Sequence, residues 1–459
     1  MALTVAEKDL KKRELFLEGN ILKGVLTVCV PMAAFQLLNE LFRVFDLAIT
    51  ARINPESVAA VSFFNQLNNS VTAVGTGLSI GAGILIAGYY ENVKKTVNTT
   101  FFLAVGGALL LAISLILSGK WVLRLANTPE ELVEIGWNYY RVIMVNLVFV
   151  FFNNVYVAIE KARGNGGRIL GVNLLMAAAK FTLSGVFVLI FRQGVVMIAF
   201  STLLSNLLVT LIGIYSLRDP KDVFGISLEY IRMDRLFIKK LFGISLPVMA
   251  EKFAFSTGKV VVNSVGVDYG TQTVGALGVS NSISALSTVP AGSIGDGGAS
   301  IIRQNIGSGK KDRALKVFKR VFLVDVAWGT LGFLLTWIFL NPILSVFSGG
   351  DAVFAQLIRQ IFLLEMLSNI FLAVHAAIMA LLYAFGYTKL SFGINFARLF
   401  IFRLPILFAL KQFTALSGGT AMGIVMMVSN GLTGLFALLV AMVVLRKEYG
   451  SGWIKLLLH

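Results

Sequence analysis

The stretch Val97-Asn98-Thr99-Thr100-Phe101-Phe102-Leu103-Ala104-Val105-Gly106-Gly107-Ala108-Leu109-Leu110-Leu111-Ala112-Ile113-Ser114-Leu115-Ile116-Leu117-Ser118-Gly119 carries no charged side chain. Lys94-Lys95 precede it and Lys120 follows it. A bilayer's hydrocarbon core is crossed by ~20 apolar residues in an α-helix, so this stretch predicts one membrane span bounded by lysines. Working outward, similar apolar runs fall at 21–50, 57–86, 132–159, 169–191, 194–217, 237–265, 273–302, 321–340, 352–383, 390–410 and 415–445. The expectation is an all-α polytopic membrane protein of about 12 transmembrane helices. Composition agrees: of 459 residues 57% are apolar and 14% charged, against about 45–50% and about 25% in soluble domains. A water-soluble enzyme is excluded, and so is a disordered chain, because 36 phenylalanines would collapse in water.

The net charge of +16 invites a nucleic-acid reading, but its distribution gives a simpler one. Numbering the gaps alternately from an inner N-terminus, the inner segments hold 27 of the 40 basic residues. They run from Lys8, Lys11, Lys12 and Arg13 to Arg446, Lys447 and Lys455. The outer gaps hold only Arg52, Lys120, Arg124, Arg192, Arg359 and Lys411. The positive-inside bias predicts both termini in the cytoplasm, with the lipid bilayer as partner and no nucleic acid; the membrane is read as a bacterial-type inner membrane. Cys29 is the single cysteine, and His375 and His459 are the two histidines. That supply offers no disulfide framework, no metal centre and no catalytic constellation. The chain reads as a non-enzyme without a cofactor. The first apolar run is too long for a cleaved signal peptide and reads as a retained helix.

The chain also repeats itself. Shifted by 216 residues, Pro31 falls on Pro247, Ala34 on Ala250, Arg43 on Lys259 and Val44 on Val260. Val58, Ala60 and Asn65 fall on Val274, Ala276 and Asn281, Gly81 on Gly297, and Lys94-Lys95 on Lys310-Lys311. Six spans lie on either side of the restart, so the halves run parallel, an organisation common in transporters. The domain reading is a cytoplasmic segment 1–20, a six-helix lobe 21–217, a linker 218–236, a second six-helix lobe 237–446 and a cytoplasmic tail 447–459. A channel is disfavoured because no filter-like repeat is visible.

Two stretches then resemble a known family. Pro31 is followed fifteen residues on by Asp46, and then by Ile53-Asn54-Pro55-Glu56 and Val58-Ala59-Ala60-Val61. In the second half, Gln304-Asn305-Ile306-Gly307-Ser308-Gly309-Lys310-Lys311-Asp312-Arg313 resembles a loop "QNIGAGKxDR". With the 6+6 repeat, these resemble the multidrug and toxic compound extrusion (MATE) family. The resemblance implies a monomeric antiporter that exports small organic compounds in exchange for protons or sodium.

Charges inside the spans are the candidate functional residues, since an ionisable side chain at mid-bilayer costs roughly 2.5–3.5 kcal/mol to insert. Asp46 stands where the family has its membrane-buried carboxylate; a local pair with Arg43 or Glu40 is the structural alternative. One branch carries an asparagine and, four residues on, an aspartate where this chain has Lys180 and Ser184. A lysine offers only donors and coordinates no sodium. Lys180 is expected to pair with Asp46, either as a switch or as a permanent ion pair. Glu251 lies four residues past Pro247, one turn short of the acid of another branch. It reads as a second coupling site or as a neighbour pair with a lysine. Lys252 and Lys259 share a helical face. Glu365 and His375 lie ten residues apart, about three turns, and are expected on one side; His375 also suits a plain interhelical hydrogen bond. Asp296, Asp325, Arg141, Arg398 and Arg403 are further interior charges, the last two expected to anchor the acids of the ninth and tenth spans. Asn65 and Asn281 give the second helix of each half a polar face, and Phe151, Phe152 and Tyr156 read as a drug pocket or as packing. The cation/proton-coupling set is Asp46, Lys180 and Glu251. The substrate cavity is Asn65, Ser184, Lys252, Lys259, Asn281, Glu365, His375 and Arg398. Proton is preferred over sodium because the many interior lysines leave no obvious oxygen cage. The basic interior keeps open a second reading, a flippase or exporter of an anionic or lipid-linked substrate.

Overall fold

The computed structural model describes residues 5–51, 55–88, 93–125, 130–191, 194–219, 221–231, 234–348 and 352–454. Among the side chains outside that description are those of residues 41–51 and 55–67. In chain order the α-helices are α1 (Val5–Leu17), α2 (Ile21–Ala51), α3 (Pro55–Gly88), α4 (Val93–Leu125), α5 (Glu130–Ala162), α6 (Gly166–Gly185), α7 (Val195–Leu217), α8 (Arg235–Gly266), α9 (Thr271–Gly307), α10 (Lys311–Ile338), α11 (Leu340–Ser348), α12 (Ala352–Glu365), α13 (Asn369–Phe385), α14 (Thr388–Phe396), α15 (Leu404–Phe413) and α16 (Gly418–Tyr449). A turn of 3-10 helix at Met366–Ser368 joins α12 to α13, and a π-helical stretch at Ala397–Arg403 joins α14 to α15. No strand occurs among the described residues. Helices satisfy their own backbone groups, which is what hydrocarbon demands of a spanning segment.

Among the described residues, nine helical segments are long and apolar enough to cross a membrane. Three further long helices are α3, α8 and α9. The apolar part of α3 is Val71–Ala87, α8 carries Lys239, Lys240, Glu251, Lys252 and Lys259, and α9 is rich in Gly, Ser and Thr. Such small and polar residues suit helix–helix contact in a membrane.

The repeat is visible in the helix boundaries. Adding 216 to α2 and α3 gives 237–267 and 271–304, close to α8 and α9. It is also visible in packing. A Cβ on Gly81 of α3 would lie 2.0 Å from Ser245 Oγ of α8, and a Cβ on Gly297 of α9 would lie 3.2 Å from Cys29 Sγ of α2. Cys29 and Ser245 are themselves 216 apart, as are Gly81 and Gly297. Both glycines let two helix backbones approach where a side chain would hold them apart.

The chain divides into two compact units. One comprises residues 1–13 and 38–253, and the other comprises 14–37 and 254–459. In the first, α5 packs on α3, α4 and α7 around Leu78, Phe101, Phe152, Tyr156 and Ile159. Phe101 meets Phe152 edge to face at 4.4 Å. Phe151, Phe152 and Tyr156 are packing residues: Gly75 lies against the Phe151 ring, and Gly213 against Phe152 and Tyr156. Arg141, about three turns into α5, is exposed and stands over the Trp137 ring at 5.7 Å. The linker after α7 is anchored to this unit. Phe224 is buried in its core, Ile226 N–H donates to Leu217 O at 2.8 Å, and Ser227 N–H donates to Asn98 Oδ1 at 2.6 Å. Arg163, fully buried at its side chain, bonds Asp222 and lies 3.8 Å from Glu160.

In the second unit α9 packs on α10, α12 and α13, and α16 on α12 and α13. The Gln304–Arg313 stretch also finds a structural role here. Asn305 Nδ2 donates to Phe16 O at 3.2 Å, Arg313 Nε donates to Phe16 O at 3.2 Å, and Lys310 Nζ donates to Leu17 O at 3.3 Å. Cations on the carbonyls that end a helix satisfy orphan acceptors and favour the dipole. Lys310 also bonds Glu18 at 3.0 Å, and first that hydrogen bond, then its charge, holds the Glu18 carboxyl below the usual range.

Candidate functional site

A buried polar network in the second unit starts at two interruptions of regular helix. The first follows Glu365, where one turn of 3-10 helix, Met366–Ser368, separates α12 from α13. The second is the π-helical stretch Ala397–Arg403. In an α-helix Arg398 and Arg403, five residues apart, would point about 140° apart. A π-helix closes its hydrogen bonds from i to i+5 and brings such positions nearly into line. Both guanidinium groups therefore reach one acceptor. Arg398 donates to Asn430 Oδ1 through Nε at 3.2 Å and Nη2 at 2.8 Å. Arg403 Nη2 donates to the same oxygen at 2.7 Å, and its Nε to Ser429 Oγ at 3.1 Å.

The network continues to the carboxylate. Asn430 Nδ2 donates to Ser368 Oγ at 3.3 Å, and Ser368 Oγ donates to Glu365 O at 2.6 Å. Ser280 Oγ of α9 donates to Glu365 Oε2 at 2.5 Å. Glu365 is 2% exposed and Arg403 3%, and Glu365 lies within electrostatic reach of Arg403 and Arg398. Among the described residues neither arginine forms an ion pair within 4 Å. Arg398 also stands 5.0 Å from the Phe255 ring centre, and Lys259 Nζ 4.9 Å from the same ring. Among the described residues, Glu365 is the acid that acts on Arg398 and Arg403, and Lys259 flanks them. Burying such charges is costly unless hydrogen bonds or a ligand compensate.

The residues singled out from sequence are distributed as follows. Glu365 and Arg398 belong to this network, and Lys259 flanks it. The arginines anchor on Asn430 and Ser429 of α16 and reach Glu365 only through space, so the expected direct anchoring of acids is replaced by an amide. Glu365 bonds Ser280 and not His375; the 3-10 turn changes the helical phase between them. Asn281 is half-buried on α9. In the first unit, Glu251 is buried and pairs with Lys252 at 3.2 Å, the neighbour pair that was one of its two readings. Lys180 is half-buried on α6, and Ser184 is buried with no hydrogen-bond partner for its hydroxyl. The side chains of Arg43, Asp46 and Asn65 lie outside the described residues, and so does the expected Asp46–Lys180 pair. Asn430, Ser429, Ser280 and Ser368 were missed. The signal for the first two was legible: Ser429-Asn430 interrupts the apolar run of the last span.

Two repeats of long helices, with ionisable side chains buried at helix breaks, define a polytopic membrane transporter. The MatE family model matches residues 31–186 and 247–409, so its two segments open at the repeat-related prolines Pro31 and Pro247. The chain belongs to the MatE family. It is 25% identical over 332 residues to the probable multidrug resistance protein YoeA of Bacillus subtilis (strain 168), covering 69% of this chain and 72% of the relative. Among solved structures it resembles the outward-facing conformation of a multidrug resistance MATE family transporter of the MOP superfamily. That match has a TM-score of 0.88 and 19% identity, over 96% of this chain and 98% of the other. A MOP superfamily transporter from Pyrococcus furiosus Vc1 (DSM3638), described as having a binding pocket of reverse polarity that suggests a different function, matches at TM-score 0.88 and 19% identity, over 94% and 97%. These likenesses establish the fold.

Proposed function

We propose that the chain is a monomeric antiporter of the bacterial inner membrane, with both termini in the cytoplasm, that exports small amphipathic organic compounds by alternating access. A cation, proton in preference to sodium, enters through Asp46, with Lys180 and Glu251 in the same coupling system. The family membership and the multidrug resistance name of YoeA support export. The observation that carries ion coupling is the buried charge at helix breaks, Glu365 beside Arg398 and Arg403. Broken helices at membrane depth with ionisable side chains mark coupling-ion and substrate sites.

The test uses proteoliposomes loaded with a fluorescent organic cation, with the outer pH and sodium set independently. Efflux that follows the proton gradient and disappears in Asp46→Asn supports the reading. Efflux that follows sodium alone replaces the ion. Efflux indifferent to both gradients refutes coupled export.

A second reading, an exporter or flippase of an anionic or lipid-linked substrate, is favoured by the convergence of two guanidiniums on one amide oxygen. The reverse polarity described for the Pyrococcus furiosus transporter gives that reading a precedent within the fold. It predicts inhibition by organic phosphates or sulfonates and scrambling of a fluorescent anionic lipid, without drug export.

A further inference from the structure

A separate group of buried polar atoms lies where α9, α10 and α13 pack on one another. Asp325 of α10 has no exposed surface, and neither of its carboxyl oxygens has a hydrogen-bond partner. Its surroundings are small and apolar. A Cβ on Gly295 of α9 would lie 3.8 Å from Asp325 Oδ2 and 2.7 Å from Ala376 O of α13. Ala291, Ala373 and Ala376 form the adjoining apolar cluster, with Trp328 packed against it. Asp296, next to Gly295, acts on Asp325 as a like charge.

An independent observation points to an occupant. Trp328, one turn along the same face of α10, holds a buried indole N–H without an acceptor, and Asn369 of α13 a buried amide oxygen without a donor. A Cβ on Gly329, next to Trp328, would touch Ala373 and lie 3.7 Å from Asn369 O, which places these groups in one packing layer. Buried polar groups are nearly always paired, so unpaired ones together mark an unseen water, ion or proton. Among the described residues no group of three or more His, Cys, Asp or Glu side chains is placed to hold a metal ion, whereas a hard cation takes about six or more oxygen ligands. A proton needs one carboxyl oxygen and turns an unpaired buried charge into a neutral group able to donate.

We propose that Asp325, with Asp296 as its charged neighbour, is a proton-binding site of the second unit, separate from Asp46, Lys180 and Glu251. One proton joins an Asp325 oxygen and leaves it to water, with no other bond made or broken. The ionisable groups on the elements around it are Asp296 and Arg303 on α9 and His375 and Tyr383 on α13, each with partners of its own. The nearest charge on α10, Arg320, is exposed.

The test needs neither substrate nor gradient, so it stands or falls separately from the antiport reading. Infrared difference spectra of the full-length protein in lipid nanodiscs are recorded between about pH 5 and pH 9, on either side of the ordinary carboxyl and histidine range. The wild type is expected to show a protonated-carboxyl C=O stretch that shifts in D2O and is absent from Asp325→Asn. In Asp296→Asn the band is expected to persist, which assigns it to Asp325 and not to its neighbour. Asp325→Asn keeps the side chain's shape, and Asp296→Asn reports on the site with Asp325 intact, so a poorly folded variant leaves the question decidable. Absence of an Asp325-dependent band at every pH overturns the proposal. So does loss of the band on adding sodium at constant pH, which makes the occupant a metal ion.

Discussion

Replacing Asn430 by Asp tests what the arginine cluster is for. The side chain keeps its shape and still accepts from Arg398 at 2.8 Å and from Arg403 at 2.7 Å, while a negative charge is placed between the two guanidiniums. Arg398, Arg403 and Glu365 then change from one net positive charge to none. A ligand charge about 6 Å from Asn430, at an effective dielectric of about 20, interacts with the added charge by about 3 kcal/mol. That corresponds to about a hundredfold in affinity. Purified protein is titrated with a fluorescent organic sulfonate and a fluorescent organic cation, and binding is read by polarisation. Asn430→Asp is expected to weaken the sulfonate about a hundredfold and to strengthen the cation. Asn430→Ala is the charge-preserving control. It removes an acceptor of N–H bonds from two charged groups and is expected to lower stability by about 2–4 kcal/mol after water refills the gap. Unchanged sulfonate affinity in an Asn430→Asp protein of normal melting behaviour refutes the electrostatic reading of this site.

Gly77→Ala is expected to destabilise the first unit by about 1–3 kcal/mol, because a Cβ there would lie 2.5 Å from the Met249 backbone. Gly106→Ala, with nothing within 4 Å of its Cβ, is the neutral control in the same thermal melt. Asp222→Ala removes the carboxylate that bonds the buried Arg163 and is expected to cost about 3 kcal/mol; Asp222→Asn recovers part of it. Lys310→Ala removes the charge on the α1 carbonyls and on Glu18, and is expected to speed deuterium exchange at residues 14–20 without altering exchange in α16.

Fold and site were unequally legible. The spans were readable because hydrocarbon imposes a length and an apolar composition on each helix, and the repeat because Pro31 and Pro247 sit at one fixed offset. Among the charges, Glu365, Arg398 and Lys259 were found because a buried ionisable residue stands out in an apolar run. Their partners were not, since Asn430, Ser280 and Ser368 are neutral and meet them only through tertiary packing. The interruption at Met366–Ser368 carries no glycine or proline to announce it, and the one at Ala397–Arg403 has only Pro405 just beyond it, whose missing N–H frees the Ile401 carbonyl. A reading in regular 3.6-residue turns therefore expected Glu365 and His375 on one side and could not show that Arg398 and Arg403 share one acceptor. The polar stretch 218–236 was legible as a linker, but its fastening to α4, α5 and α7 through Asn98, Asp222 and Phe224 arises only in tertiary packing.

The paired contacts at Gly81 and Gly297 set an order of events for the newly made chain. Cys29 Sγ donates to Ile294 O at 3.4 Å across 265 residues. At about 5–20 residues per second, the front of α2 enters the bilayer on the order of tens of seconds before its counterpart exists. Gly81 waits likewise for Ser245. A ribosome stalled after the first six spans therefore leaves a small-residue seam open to lipid, ready to be occupied by any other nascent helix bearing a similar seam. Completion of the second half closes it, which makes late translation of this protein a step in the folding of its beginning.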